Sequence, residues 1–504
     1  MKLTFYGGAG EIGGNKILLE SEGTRLFLDF GMSYSAEERF FEFPLLRPSC
    51  LDDLLKTGVL PRLPGLYRGM GLAAAYAGDG TPSVCGEAEC RGFDAVLLSH
   101  AHMDHYGYVG RLRPDIPVHL SPVARRLIEL RNEGEEWLTR IDMDSLFTME
   151  KEDPCPVGNL AVRRFDVDHS VLGASAFLIH AGDTTIAYTG DFRFHGNSGA
   201  DSEAFLQACK QEDVDVLLCE GTRAGPTSGE EEEVESHALK TEADVRDKCS
   251  EILGREKGLV VYDASPADMN RMAAVCRVAQ EHGRVPVFDS RKAYLLLYLN
   301  HPKALCPGLP GRGEFKIALS RRRLDSRKYP KFGVPEEVFV ETYTNYRQGH
   351  EAKLLVAQRD KQREGDQDLL RLDDNTFVWG SLREEVLKEP GRYLLYTSNG
   401  AQTLLHFLPP DGGKLPGTYI YGKAEPFKEE MELSFGRLKN WIQLCGLDME
   451  YAHTSGHAHQ AELERFVGEL GAKVLIPIHT EHPEVFRQWG RDVRLPAPGG
   501  TIEV

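Results

Sequence analysis

The segment His100-Ala101-His102-Met103-Asp104-His105 carries three imidazoles and one carboxylate. Imidazole nitrogen and carboxylate oxygen together suit zinc and similar divalent ions. One ion cannot take all four side chains and keep a position open for substrate, so the crowding points to two ions. Alternate residues of an extended segment face the same way. His100 and His102 can therefore share one ion while Asp104 and His105 serve the other. A histidine-rich surface loop is the bland alternative, and four donors at HxHxDH spacing argue against it.

These side chains need elements to hold them. The apolar run Phe93–Ser99 reads as a buried strand leading straight into the cluster. Upstream, Leu3–Tyr6, Lys16–Glu20 and Arg25–Asp29 read as short strands. The turn Gly8-Ala9-Gly10-Glu11-Ile12-Gly13 matches GxGxxG, but a β-rich run follows it where a dinucleotide site needs a helix. A tight turn with positive φ explains these glycines better. Residues 32–92 form a long Pro- and Gly-rich stretch, expected to be an irregular insertion or lid. Further strands are expected near 160–168, 174–180, 184–190 and 214–219.

Composition shifts near residue 224, where Gly225–Gly229 and the acidic run Glu230–Glu233 read as an exposed linker. Beyond it the pattern becomes βα. Gly258–Tyr262, Val285–Phe288, Tyr393–Tyr396 and Thr418–Tyr421 read as strands, with helices over Ala267–Gln280 and Arg291–Leu299. That alternation predicts a parallel sheet. Residues 451–504 return to strand and helix and end in a short β run.

The chain's 504 residues suit two or three domains. Its 77 acidic against 59 basic residues give a net charge of −18, which argues against a nucleic-acid coat protein. It leaves room for a nucleic-acid enzyme with a local basic channel. Ten cysteines without a CxxC pair read as free thiols, with a minor site at Cys50, Cys85 and Cys90 disfavoured. No apolar stretch suits a signal peptide or a membrane span, so a cytoplasmic protein without a membrane partner is expected.

HxHxDH resembles the signature of the metallo-β-lactamase superfamily, and other motifs follow in order. Asp29, closing its strand, resembles the first motif, whose aspartate orients the metal-binding loop. His169 in Val167-Asp168-His169-Ser170 matches the third, and Asp191 in Tyr188-Thr189-Gly190-Asp191 the fourth. Three more motifs resemble the β-CASP nucleases: Glu220 in Cys219-Glu220-Gly221-Thr222, His457 in His453–Ala458, and His479 in Ile476–Glu481. The implied fold is α/β, an αββα sandwich with an inserted β-CASP α/β cap domain. The implied boundaries are 1–223 for the first part of the sandwich, 224–450 for the insertion and 451–504 for the return.

The resemblance implies one ion on His100, His102 and His169, and another on Asp104, His105 and His479, with Asp191 bridging them. The ions are zinc, with manganese as the alternative. Two such ions about 3.5–4 Å apart acidify a water and neutralise a scissile phosphate. His457 is implied as general acid, held by Glu220. Histidine at position 479 resembles the RNA-directed branch, which includes the RNase J-like enzymes, where the DNA-repair branch has valine. The expected partner is single-stranded RNA, with DNA as the alternative. A small-molecule ester or thioester hydrolase would explain the ligands but not Glu220, His457 or the insertion.

The chain departs from RNase J in stopping soon after His479 and in having Thr397–Gln402 where that family grips a 5′-phosphate. For substrate grip the candidates are Arg271 and the basic, aromatic-interleaved stretch with Arg321, Arg322, Arg323 and Lys328. A solvated basic face is an equal reading of that stretch. The oligomeric state is left open, a homodimer being one option.

Overall fold

The computed structural model describes residues 1–42, 45–68, 92–132, 140–225, 239–299, 306, 308–311, 313–319, 376–405, 407, 413–423 and 429–504. The chain divides into two compact units, Met1–Pro226 with Gly456–Val504, and Thr227–Ser455.

The first unit holds two sheets. One comprises β1 (Lys2–Gly7), β2 (Lys16–Ser21), β3 (Thr24–Leu28), β4 (Ala95–Leu97), β5 (Val118–Leu120) and β6 (Leu146–Thr148), with Thr501–Glu503 paired to the free side of β1. The other comprises β7 (Cys155–Val157), β8 (Leu160–Asp166), β9 (Ser175–Ala181), β10 (Thr184–Tyr188), β11 (Val216–Glu220) and the returning strand Val474–Ile478. The hairpin between β2 and β3 turns on Glu22 and Gly23, both at positive φ (50° and 80°). A turn of that hand matches the right-handed twist of its strands.

Strand alternation then builds the layers. Leu3, Phe5, Ile17, Leu19, Leu26 and Leu28 of the first sheet share one buried core with Phe177, Ile179, Ile186, Leu218 and Ile476 of the second. Each such side chain contributes roughly 1.5–3 kcal/mol of apolar burial. The second sheet's outer face packs Leu217 and Leu475 with Phe205, Leu206 and Cys209 of the helix Gly199–Gln211 and with Leu463 and Phe466 of the helix Gln460–Leu470. Beyond the first sheet, the helix Pro122–Asn132 lies against β6. The layering is helix, sheet, sheet, helix.

Two expected strands end early, for one reason. β3 stops at Leu28 because Asp29 turns to φ 57°, and β4 stops at Leu97 because Ser99 leaves the ladder to bond the Asp29 carboxylate. The glycine turn keeps φ between 68° and 81° at Gly8, Gly10, Gly13 and Gly14, and a strand follows it. Part of the expected irregular stretch is helical, at Tyr34–Glu38 and Leu51–Thr57. Residues 69–91, the acidic run Glu230–Glu233, and Arg321, Arg322, Arg323 and Lys328 lie outside the described residues.

The second unit is a parallel sheet in the order β15 (Thr376–Val378), β14 (Lys316–Leu319), β13 (Val285–Asp289), β16 (Tyr393–Thr397), β12 (Leu259–Ala264), β17 (Gly417–Gly422), β18 (Asp448–Tyr451). Its central strands are buried on both faces, as helical crossovers require. One face packs Leu259, Val261, Leu395 and Tyr419 on Leu404, Leu438 and Ile442. Among the described residues no helix is long and apolar enough to cross a membrane.

Candidate metal centre

Every donor in this centre sits where a strand of the first unit ends or just beyond it. His100 and the short helix Met103–Tyr106 follow β4, His169 follows β8, Asp191 follows β10, and His479 follows Val474–Ile478. Strand ends aim adjacent loops at one point while the sheets fix their roots. Three overlapping donor groups result: His100, His102, His169 and Asp191; Asp104, His105, Asp191 and His479; and Asp191, Glu220, His457 and His479, each with donor atoms within 4.8 Å of one another. The first two together hold every donor of the HxHxDH segment.

The first group is tight. His102 Nδ1 lies 3.1 Å from His100 Nε2 and 3.1 Å from His169 Nε2. A tetrahedral zinc with Zn–N near 2.0–2.1 Å spaces its donors about 3.3 Å apart. Three neutral imidazoles cannot satisfy one another at these distances, since each nitrogen turned inward is an acceptor or competes for one proton. Asp191 Oδ2 reaches both of these two groups, at 3.6 Å from His100 Nε2, 3.1 Å from His105 Nε2 and 3.7 Å from His479 Nε2. The 3.1 Å approach is a charge contact off the line of a hydrogen bond, and His105 Nε2 and Asp191 Oδ1 are buried with no hydrogen-bond partner. Orphaned buried atoms of this kind ask for a ligand. The donor chemistry and these atoms fit two divalent ions.

Outer contacts fix which nitrogen turns inward for four of the five rings. His169 Nδ1 donates to the Gly456 carbonyl at 2.6 Å, His105 Nδ1 to Asp29 Oδ2 at 2.7 Å, and His479 Nδ1 meets Thr222 Oγ1 at 2.8 Å. His100 Nδ1 meets Ser99 Oγ at 3.0 Å. Partners of this kind orient metal-ligating imidazoles and tune their basicity. Asp29 is the hub. Its carboxylate also accepts from Ser99 N and Ser99 Oγ, both at 2.7 Å, and from Tyr188 Oη at 2.5 Å. Asn15 in turn donates to Tyr188 Oη at 3.2 Å.

Backbone shape makes room for these contacts. A Cβ on Gly13 would stand 2.9 Å from the Asp104 carboxylate, and one on Gly31 would overlap the Asp104 carbonyl at 1.6 Å. His479 holds φ at 52°, an uncommon left-handed value for a side-chain-bearing residue, and its N–H donates to Gly8 O at 2.8 Å. The glycine turn is thus a cradle for Asp104 and His479.

Electrostatics favour the ligand forms. Burial pushes His100 and His169 well below the ordinary histidine value and His102 down to about 4, so they are neutral near pH 7. Burial opposes ionisation of Asp191, but His105 and then His479 overcome it and hold the carboxyl well below its usual range. Burial also disfavours charged His105, yet Asp191, Asp104 and Asp29 outweigh it and raise this ring. An entering cation would displace that proton, as metal binding at imidazole does.

Glu220 and His457 stand beside Asp191. Glu220 is fully buried and accepts from Phe192 N at 3.0 Å, from Thr222 N at 3.1 Å, and from His457 Nδ1 at 3.1 and 3.2 Å. Burial lowers His457, but Glu220 and then Asp191 prevail and hold it up at about 9.

Family models match both ends of this arrangement. Residues 76–244 match the beta-lactamase superfamily domain, and residues 447–494 match the Zn-dependent metallo-hydrolase RNA specificity domain. Together with Ribonuclease J relatives, these matches support a metallo-β-lactamase, β-CASP, RNase J-like family for this chain. It is 26% identical over 204 residues to Ribonuclease J of Pyrococcus abyssi, covering 39% of this chain and 44% of that one. It is 23% identical over 399 residues to Ribonuclease J 1 of Streptococcus pyogenes, covering 77% of this chain and 58% of that one. In fold it resembles the crystal structure of a protein of unknown function from Enterococcus faecalis V583, with TM-score 0.69, 21% identity and 99% of each chain covered. The fold is the metallo-β-lactamase αββα sandwich with an inserted α/β cap.

Of the residues expected from sequence, Asp29, His100, His102, Asp104, His105, His169, Asp191, Glu220, His457 and His479 come together. Arg271 does not serve as an exposed phosphate contact. It is 3% exposed and paired with Glu242, 3.4 Å from Asp268, and donates to the Thr454 carbonyl at 3.0 Å. A guanidinium so enclosed is a structural cation of the second unit. Thr222, Tyr188 and Asn15 support the centre and were not expected to. Thr222 lies two residues after Glu220, which was the available signal.

Proposed function

We propose that this chain is a metal-dependent phosphodiesterase that hydrolyses single-stranded RNA. The observation that carries the reading is the Glu220–His457 pair beside the donor cluster, with His457 Nδ1 3.1 Å from Glu220. A thioester releases a stabilised thiolate and has little use for such an acid, whereas a ribose 3′ oxygen leaves as an alkoxide that needs its proton. Support also comes from the match to an RNA specificity domain across 447–494, which contains His457 and His479, and from relatives named Ribonuclease J.

His100, His102 and His169 would hold one ion, Asp104, His105 and His479 the other, with Asp191 shared. Zinc or manganese bound there would supply Lewis acidity toward phosphate oxygens and a water acidic enough to attack near neutral pH. The chain's own residues do the rest. Asp29 holds His105 with Nε2 inward. Glu220 takes the Nδ1 proton of His457 as a hydrogen bond, which leaves Nε2 to deliver a proton to the departing 3′ oxygen. The unit Thr227–Ser455 is the β-CASP cap in this reading. A reducing compartment such as the cytoplasm suits the free cysteines among the described residues.

The test uses end-labelled single-stranded RNA and DNA of one sequence, with and without chelator. Chelator-sensitive cleavage of RNA is expected. Cleavage of DNA alone would replace RNA as the substrate, and turnover of a simple thioester without either would refute phosphodiester chemistry.

A further inference from the structure

We propose that His195, His459 and Glu462 form a third, mononuclear site for a zinc-class ion, separate from the two-ion centre. The three residues offer donor atoms within 4.8 Å of one another. His195 Nδ1 already lies 2.9 Å from Glu462 Oε2, and the His195 and His459 rings stack with centroids 4.2 Å apart and planes 19° from parallel. Tetrahedral zinc needs its nitrogen and oxygen donors about 3.3 Å apart and in the planes of their rings, so binding requires the two stacked rings to tilt toward a common point with a closure of at most about 1.5 Å. Two imidazoles and one carboxylate are a borderline donor set that favours zinc, copper or nickel over magnesium. Three protein ligands leave a fourth position for water.

The charges are compatible with a cation. His459 is the N-cap of the helix Gln460–Leu470, whose N-terminus by its dipole disfavours positive charge. Glu462 supplies the offsetting negative charge, and its carboxylate also accepts from His459 N at 2.9 Å, which anchors it. His195 lowers the Glu462 carboxyl below its ordinary value, so that oxygen is ionised. The His195 side chain is 5% exposed and that of Glu462 20%, which is enough for an ion to enter without competing bulk water on all sides.

Position gives the site a consequence. His195 lies four residues after Asp191, and His459 two after His457. The two segments are already joined by Ala458 N donating to Phe192 O at 2.7 Å. An ion on His195, His459 and Glu462 clamps the loop that carries Asp191 to the loop that carries His457.

Chelator-stripped protein is reloaded with graded zinc, desalted and assayed for metal per chain. Wild type is expected to bind one equivalent more than the His195→Ala/His459→Ala double variant, whatever the occupancy of the other centre. Glu462→Gln, which keeps a carbonyl to accept from His459 N, is expected to lose the same equivalent and guards against misfolding in the double variant. Cobalt(II) loading should give wild type a visible absorption increment of one tetrahedral ion over both variants, whose remaining bands belong to the two-ion centre. Equal stoichiometry in wild type and Glu462→Gln, or a third ion retained in both variants, would overturn the site. Because the readout is a difference of one ion, it stands or falls independently of whether RNA is cleaved.

Discussion

His457→Ala separates acid catalysis from metal binding. Nδ1 of His457 is engaged with Glu220 at 3.1 and 3.2 Å and is 3.8 Å from Asp191 Oδ2. Although His457 could also serve as a donor with Asp191, Glu220 and His479, the other two donor groups are complete without it, so the variant should keep the metal content of wild type. Glu220 would retain the N–H groups of Phe192 and Thr222, so the carboxylate stays paired. The lost hydrogen bond to a charged group costs about 1.5–3 kcal/mol of stability, which leaves the protein folded for assay at 25 °C. Loss of a positioned general acid slows turnover about 10²–10⁴-fold, or about 3–5 kcal/mol in the barrier. The decisive control is the leaving group. Nitrophenolate departs without protonation, so bis(p-nitrophenyl) phosphate should lose less than about tenfold where RNA loses the full factor. Turnover of both substrates is compared with metal per chain. An equal loss on the two substrates would refute the acid role, and loss of an ion would make His457 a ligand.

Asp29→Asn presents an amide donor to Ser99, Tyr188 and His105, which already donate to that group. Metal affinity in a chelator competition should fall about 10–100-fold, with the apo protein losing about 1–3 kcal/mol in a denaturant titration. Arg271→Met leaves Glu242 and Asp268 buried against no cation, and should cost about 3–5 kcal/mol of stability; a raised KM for RNA at unchanged stability would restore the phosphate-contact reading. Burial lowers buried Lys16 from 10.5 to about 8, despite Glu11 and Glu37 pulling it upward. The folded value lies below the unfolded one, so the unfolded chain holds the extra proton between them. Stability should therefore rise with pH between about 8 and 10.5, by up to about 3 kcal/mol. Urea melts of wild type and Lys16→Met across that window check it, since the variant's curve should stay flat there.

Longer apolar runs bounded by turn residues were legible as strands, whereas the three- and four-residue strands β5, β6, β7, β14, β15 and β18 were not expected. β2, β8, β10, β12, β13 and β16 lie within two residues of their expected positions at each end. The helix Gly199–Gln211 was not legible, because its buried residues Ser202, Phe205, Leu206 and Cys209 make a narrow stripe among polar neighbours. The helix Glu242–Arg255 was missed for the same reason, with only Val245, Cys249, Ile252 and Leu253 as apolar buried positions. The gathering of His100 to His105 could be read because spacing within six residues needs no tertiary knowledge. Gathering of His169, Asp191 and His479 with them rested on motif order, since no local property distinguishes those side chains. Arg271 misled because a lone arginine on a helix looks alike whether it meets phosphate or a carboxylate 29 residues upstream. Thr222 was invisible because its role is a hydrogen bond to a residue 257 positions away.

The order in which the ribosome delivers this chain gives the returning strand Val474–Ile478 a temporal meaning. That strand pairs in parallel along the whole of β11, and His479 follows it directly. The nascent polypeptide therefore emerges with one edge of its second sheet exposed and one donor group incomplete. Both persist until the ribosome has passed residue 479, after the whole of Thr227–Ser455 has been made. Non-local pairing of this kind is slow to form and leaves unpaired edges open to other chains. Translation must finish the insertion before the donor group that needs His479 can close, whereas the group of His100, His102, His169 and Asp191 is already complete in sequence, so a truncated copy keeps at most half of the centre.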